Sequence, residues 1–97
     1  MKEEVYLTIL FDYYESLLTE KQRLYFTYYY FDNLSLSEIA ENLNISRNAI
    51  HKQLKLIHEK LIYFETSLKL YQKDEKIKEI IKDIKDNDIK NKLEELL

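Results

Sequence analysis

The chain has 97 residues, of which 34% are charged and 45% hydrophobic, with a formal net charge of −3 and no glycine, proline or cysteine. That length suits one domain with a real core. The missing residue types exclude disulfides, thiolate zinc sites, cysteine nucleophiles and glycine-rich nucleotide loops, and a chain without helix breakers is expected to be all-α, its turns made by Asn, Asp, Ser and Thr.

The N-terminal Met1-Lys2-Glu3-Glu4-Val5 lacks the apolar run of a signal peptide, and no stretch approaches the ~20 apolar residues of a membrane span. The expectation is a cytoplasmic protein without membrane insertion. A first helix is predicted over residues 4 to 16, with Leu7, Leu10, Phe11 and Tyr14 on one face. Thr19 and Gln22 form a capping box that opens a second helix from Glu20 to about Phe31, crowded with Tyr25, Phe26, Tyr28, Tyr29, Tyr30 and Phe31. Such a helix suits a place wedged between its neighbours, with a stacking platform for unpaired bases as the alternative. A continuous aromatic run has no single buried face, however, so Tyr29 and Tyr30 are assigned to a candidate protein interface.

Ser35 and Glu38 make a second capping box, starting a short helix near Leu36 whose inner face is Leu36, Ile39, Ala40 and Leu43. Asn44 tolerates a left-handed backbone, Ile45 is expected to plug the corner, and Ser46 caps a helix that begins at Arg47. Two capped helices around a tight turn read as a helix-turn-helix. The outward residues of the second are Ser46, Arg47, Asn48, His51, Lys52 and Lys55. Arg47 suits guanine or a phosphate, Asn48 suits adenine, and the lysines suit phosphates. Charge is distributed accordingly: residues 1 to 45 carry three cations against eight acids, and residues 46 to 60 carry four against one. A solvated lysine-rich face is the plainer alternative.

From Arg47 onward, Ile50, Leu54, Ile57, Leu61, Phe64, Leu68 and Tyr71 alternate in steps of four and three, the seam of a coiled coil. This predicts one long helix to about Lys73, roughly 40 Å at ~1.5 Å per residue. Its far half needs cover. The C-terminal stripes Ile77, Ile80, Ile81, Ile84 and Ile89, Leu93, Leu96, Leu97 offer it, separated at Asp86-Asn87-Asp88 with Asp88 as a candidate cap. The alternative cover is a second copy, a homodimer joined through Leu61, Phe64, Leu68 and Tyr71, whose two recognition helices would lie about 34 Å apart. The division expected is a helix-turn-helix domain over residues 1–73 and a C-terminal helical extension or hairpin over 74–97. No catalytic constellation, cofactor site or metal site is expected: His51 and His58, seven residues apart on one helix, lie about 10 Å apart along its axis, too far to share a metal.

The run Leu18-Thr19-Glu20-Lys21-Gln22-Arg23 with Tyr25-Phe26, followed by Tyr29-Tyr30, Asp32, Leu34-Ser35-Leu36 and Glu38-Ile39-Ala40-Glu41, resembles the YlxM family over about residues 5 to 70. Members are small bacterial proteins with a helix-turn-helix similar to region 4 of sigma factors, associated with the genes for the signal recognition particle protein and its receptor. The resemblance implies a winged-helix-like, sigma region 4-like fold without a wing. It also implies recognition positions at Ser46, Arg47, Asn48 and His51, with Ile50 buried between them. The chain departs from the pattern at Asn44, where many such turns have glycine, and at His51, where an aromatic such as tyrosine is expected. Two functions follow as expectations: a DNA-binding regulator linked to the signal recognition particle pathway, or an accessory factor that binds the particle's GTPase, its receptor or its RNA.

Overall fold

In the computed structural model, which describes residues 1–97, the chain forms six α-helices and no strand. Helix α1 spans Glu3–Tyr14, and a 3₁₀ turn over Glu15–Leu17 leads to α2, Glu20–Phe26, which widens into a π turn over Thr27–Phe31. After it come α3 (Leu36–Leu43), α4 (Arg47–Leu68), α5 (Leu70–Lys82) and α6 (Asn87–Glu94).

Helix α1 has no side-chain cap, but Glu3 and Glu4 in its first turn suit the positive end of its dipole. Its predicted face is the buried one, Leu7, Leu10, Phe11 and Tyr14. These meet Leu18 and Phe26, Ile39 and Ala40 of α3, and Ile50, Leu54, Ile57 and Leu61 of α4 in one continuous core. Phe11 and Phe26 stack at 4.3 Å, and Tyr30 stacks on Phe26 at 4.5 Å. A fully buried side chain of this kind contributes about 1.5–3 kcal/mol.

The aromatic run is resolved by the π turn. The Asp32 amide donates to the Thr27 carbonyl five residues back, and this wider turn shifts the rings so that Tyr28, Tyr29 and Tyr30 are all half-buried while Phe31 is exposed.

Several expectations are corrected. The long helix ends at Leu68, not near Lys73, because Lys69 adopts a left-handed backbone (φ 57°, ψ 31°) and a new helix begins. The seam is therefore not a continuous coiled coil. Ile50, Leu54, Ile57 and Leu61 are buried within the chain against α1, α2 and α3. Leu61 is sealed and has no surface to offer a second copy, and Leu68 is exposed. Phe64 and Tyr71 are half-buried against the core, Tyr71 reaching it from α5 through edge contacts with Tyr6 and Tyr13. Ile45 does not plug its corner but lies at the surface. The last helix is capped by Asp86, whose carboxylate accepts from the amides of Asp88 and Ile89, and not by Asp88.

What replaces the seam at its far end is a buried carboxylate. Glu65 Oε1 accepts from the Tyr14 hydroxyl (2.6 Å) and the Tyr71 amide (3.1 Å), and Oε2 accepts from the Gln72 amide (3.0 Å). The Leu70 amide in turn donates to the Tyr14 oxygen. The free amides that open α5 are thus satisfied by side chains of α4 and α1, where Lys69 supplies no side-chain cap. Burial, together with the Glu65 hydrogen bond, pushes the Tyr14 hydroxyl up to about 12.

The molecule measures 56 × 25 × 24 Å with a radius of gyration of 17.2 Å. A compact domain of this size has about 13 Å. The excess comes from the hairpin of α5 and α6: Ile81 is its one buried residue, and Ile80, Ile89, Leu96 and Leu97 are exposed. The expected boundary at residue 73 falls inside α5. No helix is long and apolar enough to cross a membrane.

Candidate nucleic-acid interface

Three local devices set the geometry between α3 and α4. In the capping box, Ser35 Oγ accepts from the Glu38 amide (3.1 Å) and Glu38 Oε1 accepts from the Ser35 amide (2.9 Å). Those hydrogen bonds hold the Glu38 carboxyl below its usual range. At the turn, Asn44 takes the left-handed conformation (φ 53°, ψ 46°), its amide reaching the Glu41 carbonyl while the Ile45 amide reaches Ala40. This is the Schellman closure, made here with asparagine in place of glycine. Ser46 Oγ then accepts from the Ala49 amide at 3.1 Å and starts α4.

Behind the turn, Ile39 and Ala40 of α3 pack with Ile50 and Leu54 of α4, so the second helix is fixed along its inner face. Ser46, Arg47, Asn48, His51, Lys52 and Lys55 are all exposed on the other side. The two ion pairs in the protein are Lys78–Glu75 and Lys82–Glu79, both on α5, so Arg47, Lys52 and Lys55 carry unpaired charge. The first turn of α4 contains no acid. Its positive dipole end, the Arg47 guanidinium, the Asn48 amide and two ammonium groups form a set of donors on a rigid backing, which is what phosphate oxygens and base-edge acceptors require.

Beside this face the fold assembles a groove that the sequence reading did not foresee. It has a volume of about 230 Å³ and brings Tyr29 and Tyr30 together with His51, Lys55 and His58. Tyr30 Oη and His58 Nε2 are hydrogen-bonded at 2.8 Å. Burial pushes the Tyr30 hydroxyl up to about 12 and lowers His58, so both partners of this hydrogen bond are neutral and the His58 tautomer sets which one donates. Tyr30 is therefore occupied in fixing the π turn to α4. Large exposed apolar side chains lie outside this groove, among them Phe31 and, on α4, Leu56, Ile62 and Tyr63. Their signal in the sequence was their position off the seam. No three His, Asp or Glu side chains converge as a metal site would require.

The sequence profile of the UPF0122 family, described as "Putative helix-turn-helix protein, YlxM / p13 like", matches residues 1–97. The chain is 48% identical over 86 residues to a UPF0122 protein of Clostridium acetobutylicum, covering 89% of this chain and 74% of that one. It is 46% identical over 87 residues to a UPF0122 protein of Malacoplasma penetrans, covering 90% and 81%. A UPF0122 protein of Halalkalibacterium halodurans is 45% identical over 80 residues, covering 82% and 73%.

Proposed function

Because the chain belongs to the UPF0122 family of YlxM/p13-like helix-turn-helix proteins, we propose that it is a DNA-binding regulatory protein whose helix α4 enters the major groove. The observation that carries this reading is the unpaired donor set at the capped start of α4, held outward by a fully buried opposite face. Arg47 and Asn48 read base edges in this scheme; Ser46, His51, Lys52 and Lys55 contact phosphates. The link to the signal recognition particle pathway rests on the family resemblance of Leu18 to Glu41 and is part of the same proposal.

The test is fluorescence anisotropy with duplex DNA from the protein's own promoter, an unrelated duplex, and signal recognition particle RNA, each across a salt series. Binding is expected to be tightest to the promoter duplex. The Arg47→Ala/Lys52→Ala/Lys55→Ala variant should lose at least tenfold in affinity and about 2–3 units of salt slope, since each phosphate contact contributes about 0.9. Unchanged affinity in a folded variant sinks the reading.

A second reading, an accessory factor of the particle, is favoured by the exposed aromatic side chains Phe31 and Tyr63, which lie outside the donor set of Ser46 to Lys55. Its test is co-purification with the particle's GTPase or receptor, lost on Tyr63→Ala. A homodimer acting on one operator is left with Leu68 as the exposed member of the expected seam, since Leu61 is closed off.

A further inference from the structure

At the far end of α4, Lys69, Gln72, Lys73 and Lys76 surround a shallow concavity of about 300 Å³ whose only other lining residue is Leu68. Lys69, Lys73 and Lys76 are spaced i, i+4 and i+7, so their ammonium groups share one face over about 10 Å of helix. That is about three phosphates of axial rise on one strand of a duplex. No carboxylate lines the concavity. The acids of this stretch are engaged elsewhere: Glu65 holds the amides of α5, Asp74 accepts from Tyr13, and Glu75 pairs with Lys78.

A second observation is conformational. Three residues in the chain have positive φ, and two of them are asparagines, Asn33 and Asn44, the non-glycine type best suited to that region. The third is Lys69. A lysine is an uncommon residue type in that region, and here its left-handed backbone closes α4 and opens α5. Its effect is to set an ammonium group at the junction of α4 and α5, in line with Lys73 and Lys76.

We propose that Lys69, Lys73 and Lys76 form a second site for the phosphodiester backbone of nucleic acid, so that α4 carries one such site at each end. The axis of α4 runs about 33 Å, and the near edges of the two sites, Lys55 and Lys69, stand about 21 Å apart along it. The major groove is about 8.5 Å deep, so a straight duplex that takes the first turns of α4 leaves the far end clear. The second site therefore engages another stretch, either a separate duplex or a segment folded back, and one chain bridges the two. The amides at the start of α5 are already taken by Glu65 and Tyr14, so the contact is made by side-chain charge and carries no base specificity.

The test uses two short duplexes, one donor-labelled and one acceptor-labelled, titrated with the full chain at low salt while energy transfer and anisotropy are recorded together. The unmodified protein is expected to bring the two duplexes together. The Lys69→Gly/Lys73→Gln/Lys76→Gln variant should lose at least tenfold in energy transfer and much less in single-duplex affinity. Lys73→Gln/Lys76→Gln, which leaves the junction backbone alone, should lose most of the same signal. The Arg47→Ala/Lys52→Ala/Lys55→Ala variant should keep weak binding with a salt slope of about 2–3. Energy transfer unchanged in both lysine variants, or absent from the unmodified protein, overturns the second site. Lysine-dependent binding to phosphatidylglycerol vesicles with no bridging of duplexes overturns it too, in favour of a membrane surface. If the Arg47 variant instead binds as tightly as the unmodified protein while the lysine variants fail, the reading of α4 as a recognition helix falls and this site stands.

Discussion

Glu65 accepts hydrogen bonds from Tyr14 on α1 and from the amides of Tyr71 and Gln72 on α5, so its removal leaves unsatisfied donors on two elements at once. A buried polar group that loses its partner costs about 1–3 kcal/mol. Glu65→Ala is expected to destabilise the fold by about 3 kcal/mol or more, and since 1 kcal/mol is worth about 4–8 °C in a domain of this size, its melting temperature should fall by more than about 10 °C. A shift of only a degree or two in a thermal melt would mean that α5 does not depend on this carboxylate. His58 gives a second residue-level expectation. Its neighbours are Glu3 and Glu4 from α1, Tyr29 and Tyr30 from the π turn, and His51 and Lys55 on its own helix, and burial outweighs Glu3 to lower its pKa. The unfolded chain therefore binds more protons at this position as pH falls through about 6.5, the usual value for histidine, and stability drops with acidification until the folded group titrates as well. Urea midpoints at pH 7.5 and 5.5 should differ more for the unmodified protein than for His58→Phe. Equal differences would show that the imidazole plays no part.

At the scale of elements, the pieces written in local chemistry were legible and those made by tertiary contact were not. Thr19 and Gln22, Ser35 and Glu38, and Ser46 announce three helix starts within four residues each, and Asn44 announces the turn, because a cap or a left-handed residue acts on its immediate neighbours. The end of α4 carries no such mark. The four-three alternation runs on from Leu61 through Phe64 and Leu68 to Tyr71, no glycine or proline interrupts it, and Tyr71 does turn inward, though from another helix. The break is made by Glu65, which stands four residues after Leu61 on the buried stripe and looks in sequence like one more surface acid. The π turn likewise carries no local mark in the sequence, and it comes with Phe26 stacked between Phe11 and Tyr30, contacts made across elements. Of the candidate interface, Ser46, Arg47, Asn48, His51, Lys52 and Lys55 are exposed, as helical spacing from a capped start predicts, whereas Leu61 is sealed by contacts that spacing does not reveal. The strain at the break can be measured. A left-handed backbone costs a non-glycine residue about 1–2 kcal/mol, partly offset by the extra freedom glycine has when unfolded, so Lys69→Gly should be neutral or stabilising by up to about 1 kcal/mol. Lys69→Pro, which cannot reach positive φ, should destabilise strongly. Chemical denaturation of the two variants checks both signs; a clear loss with glycine would mean that the lysine side chain, and not the backbone alone, holds the junction.

For the molecule as a whole, stability is distributed unevenly along its 56 Å length. The buried residues of α1, α2, α3 and the first two-thirds of α4 form one cluster, whereas α5 contributes only Ile81 and α6 no buried residue at all. Eight residues make little more than two turns, and an isolated helix shorter than about 12 residues is marginal in water, so α6 persists only by leaning on α5 through residues that remain largely exposed. Its opening should require far less free energy than unfolding of the core. Amide hydrogen exchange is expected to separate the chain accordingly, with amides of Ile89 to Leu93 exchanging at least a hundredfold faster than those of Ile50 to Leu61, and those of α5 protected to an intermediate degree by Glu65 and Tyr14. This hierarchy leaves the helix-turn-helix and its outward donors standing while the hairpin opens and closes. Hairpin protection equal to that of α4 would require a cover that one copy of the chain does not supply, and sedimentation of the same sample would then have to exceed the 11.9 kDa of a single chain.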